Sequence, residues 1–216
     1  RKTFVSDIYD LPLIASLIYN FKKYKDIDKL LELNQEIVSK WSMDRTIFPE
    51  IIMNTLNKTN AFALNHLPKF GGYDIVGFSL YTSNMYLSVL MALLIRLKYP
   101  KTKIIFGGPQ ITQGITSREL LIKGEIGDYL LLGEGEQPIV DLINAIIAGE
   151  STDNIIGIKS ITNFEKPDTF FQTMDLEELP TPNYDGTIFD MYQPKLISIY
   201  SNRGCPFRCH FCSEHS

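Results

Sequence analysis

The sequence predicts an α/β fold, an open and doubly wound parallel sheet with helices on both faces. Apolar β-prone runs at 75–79, 103–106 and 129–132 alternate with helical stretches at 84–98, from Thr116 onward and from Pro138 to Ala148. Alternation of this kind implies right-handed crossovers, which gather the loops leaving the strands' carboxyl ends on one edge, where such folds bind ligands. The 216 residues, 44% hydrophobic and 21% charged, suffice for about 1.4 domains of ordinary globular composition, which excludes a disordered or fibrous chain.

Leu11, Ile14, Leu17, Ile18 and Phe21 recur at helical spacing, with Asp10 placed to cap the helix and Pro12 tolerated in its first turn. Residues 3–5 read as the end of a preceding strand and 30–33 as a second strand, while 34–41 and 48–57 carry a weaker helical period. A Thr116-x-x-Glu119 capping box opens one later helix, and Gly149 closes another. Short β-prone runs between Asp153 and Thr173 suggest an appended hairpin. Two prolines spaced by one residue, Pro180 and Pro182, hold the chain extended and place a boundary within 175–194. A final strand is expected at 196–200, so the expected organisation is a domain over 1–150, a hairpin and linker over 151–194, and the start of a second domain over 195–216.

A net charge of −4 gives no reason to expect a nucleic acid or an anionic membrane as partner. The longest apolar run, 85–97, contains Ser88 and falls short of the ~18 to 20 residues that a bilayer span requires. The chain begins Arg1-Lys2-Thr3 without an initiator Met or a signal-peptide pattern, as a trimmed chain would. All three cysteines fall in the last twelve residues, a distribution that cannot staple the fold, so a cytoplasmic setting is expected and the thiols have another task.

Cys205, Cys209 and Cys212 form a C-x3-C-x2-C arrangement that can grip one metal centre from a single loop. Three thiolates on a 4Fe-4S cluster leave one iron open to a chelating substrate. A zinc site completed by His210 or His215 is the alternative, although zinc sites more often pair two C-x2-C units; three unliganded thiols are the other. The spacing resembles the radical S-adenosylmethionine superfamily, in which S-adenosylmethionine occupies that fourth iron, and Phe211 matches the aromatic position that lies against its adenine.

Upstream, Ser79-Leu80-Tyr81 followed after 25 residues by Gly107-Gly108 resembles the Ser-x-Leu and Gly-Gly pair of cobalamin-binding domains, with Tyr81 where that family has leucine. Gly133-Glu134-Gly135-Glu136 is similar to the turn found where such a domain precedes a radical S-adenosylmethionine barrel. The chain is thus identified with the cobalamin-binding-domain radical S-adenosylmethionine family (class B type), as an N-terminal part ending just after the cysteine loop.

The resemblance implies a flavodoxin-like, cobalamin-binding sheet followed by the first strand of a truncated (β/α) barrel. It assigns the cofactor edge to Ser79, Tyr81, Thr82, Ser83, Gly107, Gly108, Pro109, Gln110, Gly133, Glu134, Gly135 and Glu136, and the cluster to Cys205, Cys209 and Cys212. In the family, the serine bonds the nucleotide base of the cobalamin tail, and the glycines let the tail lie against the backbone. The family's Asp-x-His-x-x-Gly, which supplies a histidine to cobalt, is absent; Tyr9, in an expected strand-to-helix loop, stands in its place. His66 lies before the 75–79 strand, at the wrong end of the sheet, and reads as a surface or core histidine.

For the parent protein, the resemblance implies that a 5′-deoxyadenosyl radical removes hydrogen from an unactivated carbon, which then receives a methyl group from methylcobalamin. A small-molecule or peptide substrate and an electron donor such as flavodoxin or ferredoxin are the implied partners, with no nucleic acid and no membrane. This chain alone, lacking the barrel, is expected not to turn over. Ring closure or rearrangement is the alternative chemistry, and a degenerate domain that recognises substrate for a cobalamin-independent barrel is the alternative role. Neither a G-x-G-x-x-G at the first strand nor a G-x-x-x-x-G-K-S/T is present, which removes the usual dinucleotide and phosphate-loop readings. Glu134 and Glu136, beside a helix start, read more simply as turn and dipole partners than as acid/base groups.

Overall fold

Residues along each strand alternate between two apolar surfaces, and that alternation sets the layers. In the computed structural model, the described residues are 3–43, 49–173, 177, 179–181, 183 and 203–204. The chain divides into two compact units, Arg1–Met174 and Asp175–Ser216, and every helix and strand named below lies in the first. Helices α1 (Thr3–Tyr24), α2 (Ile27–Met43) and α3 (Pro49–His66) precede β1 (Ile75–Ser79), α4 (Met85–Lys98), β2 (Lys103–Gly107), α5 (Pro109–Gln113), α6 (Ile115–Lys123), β3 (Tyr129–Leu131), α7 (Glu136–Ala148) and β4 (Ile158–Ser160).

The sheet runs β1-β2-β3-β4, with the first three strands parallel and β4 antiparallel to β3. Val76, Ile104, Phe106 and Leu130 join a core with α1, α4 and α6, whose innermost members include Ile14, Leu93, Leu94 and Leu121. Ile105, Leu131 and Ile158 face the other way and pack with Leu142 of α7. This is an α/β architecture with a mostly parallel sheet, compatible with the flavodoxin-like class. Its described strands follow one another without the reversal of order that a doubly wound sheet shows.

The expected strands and helices between residues 75 and 148 are present at nearly the expected bounds, and Gly149 ends α7 in the left-handed conformation at φ 69°. The amino-terminal third differs. Residues 3–5 open α1 rather than ending a strand, which puts Asp10 and Pro12 inside the helix instead of at its start, and Tyr9 on that helix instead of in a strand-to-helix loop. Residues 30–33 lie within α2, whose first turn is capped by Asp26: its Oδ1 accepts the Lys29 N–H at 2.7 Å. Leu30 is fully buried, and with Ile27, Leu31 and Asn34 it makes a helical stripe, not a strand period.

Two further expectations are corrected. The residue before α6 is Gly114, with no side-chain cap, so the Thr116 capping box does not form; Glu119 instead pairs with Lys123 one turn on, at 3.2 Å. The 153–173 stretch is not a separate hairpin, because Ile158–Ser160 adds to the main sheet against β3. No described helix is long and apolar enough to cross a membrane.

Candidate functional site

Parallel register brings the expected site residues together: Ser79 at the end of β1 stands beside Gly107 at the end of β2, and Gly133 follows β3 on the same edge. The loop from β1 to α4 is held from two sides. Leu80, fully buried, donates its N–H to the Gly107 carbonyl at 2.8 Å and accepts the Gln110 N–H at 3.2 Å. The Asn84 side chain closes the loop by accepting the Tyr81 N–H at 2.8 Å and donating to the Ser79 carbonyl at 2.9 Å. Gln110 Nε2 donates to Thr82 Oγ1 at 2.7 Å, tying this loop to the one after β2. Tyr81 and Ser83 remain exposed around the closed loop, as does Pro109 at the start of α5.

The glycines of this edge have different tasks. Gly108 sits at φ 90°, and a Cβ there would lie 2.8 Å from the backbone N and O of Leu80 and 2.9 Å from Ser79 Oγ, so its bareness lets two loops of the chain itself meet. Gly107 is unconstrained by comparison, since a Cβ would meet only Leu131, at 3.6 Å. Gly77, one pleat back from Ser79 on the same side of β1, is exposed, and a Cβ there would have nothing within 4 Å. Helix α7 covers Ile105, Leu131 and Ile158 on this side of the sheet but not Gly77, which leaves a floor of exposed Gly77 and Ser79 with half-buried Gly107 beside them. That floor is a cradle that larger side chains would fill. It fits a flat group laid on the sheet with Ser79 Oγ at its rim, as the tail of a cobalamin requires. Gly77 and Asn84 escape a reading of the sequence, because a glycine in a strand signals only a weak strand and an Asn beside a helix start signals only a cap.

The Gly133-Glu134-Gly135-Glu136 turn engages the chain's own later residues. Gly133, at φ 88°, bridges to Phe171, whose carbonyl a Cβ would meet at 2.2 Å, and donates its N–H to Thr112 Oγ1 at 3.1 Å. Glu134 donates its N–H to the Phe171 carbonyl at 2.9 Å and accepts the Thr173 N–H on Oε2 at 2.7 Å. The turn is therefore an anchor for residues 171–173. Gly135 precedes α7 and Glu136 opens it, which places an acid at the positive end of that helix. His66 ends α3, ahead of β1, stacked on Phe62 with Nδ1 2.9 Å from the Phe62 carbonyl.

Behind this edge, a charge knot fixes the 159–168 loop. Asp168 pairs with Arg118 Nη1 and, at 3.2 Å, with Lys159 Nζ, both cations being almost wholly buried. Burial works against ionisation of Asp168, but the hydrogen bonds and charges of Arg118 and Lys159 outweigh it and hold the carboxyl below its ordinary value. Among the described residues, no group of three or more His, Cys, Asp or Glu could hold a metal; Cys205, Cys209, Cys212 and Phe211 lie outside the described residues, as does the strand expected at 196–200.

The fold and the edge define a class: an α/β unit with a floor of small residues at the carboxyl ends of its parallel strands. No family model matches the chain. Among curated proteins, it is 32% identical over 150 residues to an uncharacterized methyltransferase of Pyrococcus horikoshii, a match covering 65% of this chain and 31% of that protein. It is 30% identical over 145 residues to the hopanoid C-3 methylase of Methylococcus capsulatus, covering 65% and 28%. An uncharacterized methyltransferase of Synechocystis is 36% identical over 85 residues, covering 39% and 13%. The matched parts thus span under a third of each relative's length. No solved structure matches.

Proposed function

We propose that this chain is the cobalamin-holding part of a radical S-adenosylmethionine methyltransferase that modifies an unactivated carbon. The floor of Gly77, Ser79 and Gly107 carries the reading, and relatives named as methyltransferases support it. In this proposal, Ser79 Oγ hydrogen-bonds the base of the cobalamin tail, and the loop fixed by Asn84 and Gln110 presents Tyr81, Thr82 and Ser83 as the wall beside it. Bound there, the cobalamin would supply the methyl group. Gly133 and Glu134 act at one remove, by holding residues 171–173. Cys205, Cys209 and Cys212 would hold the 4Fe-4S cluster that binds S-adenosylmethionine, with Phe211 beside the adenine, and an electron donor such as flavodoxin or ferredoxin would serve the cluster.

One observation favours a second reading. Tyr9 lies within a helix, and among the described residues no histidine follows a strand at this edge, so the domain would have no cobalt ligand of the family's kind. On that reading, the unit recognises substrate for a cobalamin-independent barrel. Anaerobic titration of the chain with hydroxocobalamin, followed by gel filtration, separates the two. Stoichiometric retention supports the first reading; a folded protein that retains none removes it. Iron and acid-labile sulfide at about four each after anaerobic reconstitution would exclude zinc at the cysteines.

A further inference from the structure

We infer that the outer face of α7 is a docking surface for a basic amphipathic helix of a partner protein. This inference stands apart from the cofactor edge and does not depend on it.

Three observations converge on the face. Helix α7 turns Pro138, Leu142 and Ala145 inward, yet Val140 and Ile147, two turns apart on the opposite side, are 48% and 79% exposed. A groove of about 650 Å³ runs along the flank of this helix, between Asn144 and Ala148 on one wall and Ile156 and Phe171 on the other, and Ile156 is itself 57% exposed. Asp141 and Glu150 stand on its rim. The charge of the region is one-sided: from Gly133 to Gly157 there are five acids, Glu134, Glu136, Asp141, Glu150 and Asp153, and no Lys, Arg or His. The whole chain carries only −4, so the remainder is close to neutral and this stretch holds the excess.

An apolar crest at helical spacing beside a groove is the surface that a helix in groove requires, and its anchors would be apolar side chains at i and i+3 or i+4. The acidic rim selects the sign of the partner. A helix carrying Lys or Arg on either side of its apolar stripe is steered to this face, whereas an anionic membrane or an acidic electron carrier is repelled. The apolar anchors set the lifetime of the complex and the rim its salt dependence.

The test uses two fluorescent helical peptides of identical Leu pattern, one with Lys and one with Glu at the flanking positions, read by anisotropy against the 216-residue chain. The Lys peptide is expected to bind, and to weaken about tenfold between about 50 and 300 mM salt, while the Glu peptide does not bind. The pair Val140→Ser and Ile147→Ser should lower affinity about tenfold, and Asp141→Asn with Glu150→Gln should flatten the salt dependence. Neutralising Glu32 and Glu36 on α2 controls for attraction to net charge and should change little. Equal binding of both peptides, binding indifferent to Val140 and Ile147, or loss of binding through the α2 pair as large as through the rim pair would overturn the inference. So would sedimentation showing that the chain dimerises through Val140 and Ile147, since the occupant would then be a second copy. Unchanged circular dichroism in each surface variant excludes misfolding as the cause.

Discussion

The two edges of the sheet are built from opposite materials. At the amino edge, Asp128 collects charge: its Oδ2 accepts Arg96 Nη2 at 2.6 Å and the Ile104 N–H at 2.8 Å, and its Oδ1 lies 3.3 Å from Lys103 Nζ. Arg96 also reaches the Ile126 carbonyl at 2.8 Å, so one ion cluster joins α4, β2 and the start of β3. The carboxyl edge has no such knot between its first two strand ends; glycines, a serine and the amides of Asn84 and Gln110 make it. A cavity of about 660 Å³ does lie at the amino edge, and Arg96, Lys103 and Asp128 of this knot stand in its wall. Volume alone would choose the amino edge. Bareness with a polar rim chooses the other, and the contrast predicts which substitutions should damage the fold and which the ligand.

Asp128→Ala should have the largest effect. It strands Arg96 in a mostly buried position and leaves the Ile104 N–H without its acceptor, which should cost about 3 kcal/mol of stability, read as a lowered urea midpoint with unchanged slope. Hydroxocobalamin retention per folded molecule should not change. Gly108→Ala comes next, since it forces a Cβ to 2.8 Å from the Leu80 backbone at a φ that L residues resist; about 2 kcal/mol is expected, with the ligand floor disturbed as well. If Gly108→Ala were as stable as the parent, the meeting of the two loops would not be what demands that glycine.

Gly77→Val sharpens the same comparison from the other side. Nothing stands within 4 Å of the added Cβ, and a β-branched residue suits a strand, so stability should hold or rise by about 0.5 kcal/mol. The floor, however, is filled. Corrinoid retention should fall at least about tenfold, equivalent to about 1.4 kcal/mol. Equal retention by the parent and the variant would remove Gly77 from the site, whatever the fate of the domain.

How far the sequence could be read follows the same divide between local and distant causes. The strands at 75–79 and 103–107 and the edge where Ser79 meets Gly107 are legible because short β-prone runs, glycine stops and helical stripes are local signals. The amino-terminal helices are not. Thr3, Phe4 and Val5 have strand propensities that the surrounding helix overrides, and the stripes of α2 and α3 are interrupted by Asn34 and Asn60, both buried. Asn34 donates to Tyr86 on α4, whose hydroxyl is held neutral by burial, an interaction across 52 residues that no period announces. Gly133 shows the remaining limit. Its sequence motif suggests a ligand, and its φ and its neighbour Phe171 add a crossing of chain segments that only the fold reveals.

The smallest effect concerns acid. Asp168 is held below its ordinary pKa by Arg118 and Lys159, so its folded form prefers the charged state more than the unfolded chain does. The stability it contributes is therefore complete above the unfolded value of about 4 and is lost as pH falls from there through the lower folded value. Asp168→Asn should remove that part of the acid dependence, so that parent and variant differ at neutral pH and converge as pH falls through the lowered folded value. The Asp128 knot offers an internal comparison, because Asp128→Ala lowers stability through lost bonds and a stranded Arg96. Urea midpoints measured between pH 3 and pH 7 on both variants decide it: an unaltered acid slope in Asp168→Asn would mean that the loop over α6 is held by the Lys159 bonds to the carbonyls of Asn163 and Phe164, with the carboxylate a bystander.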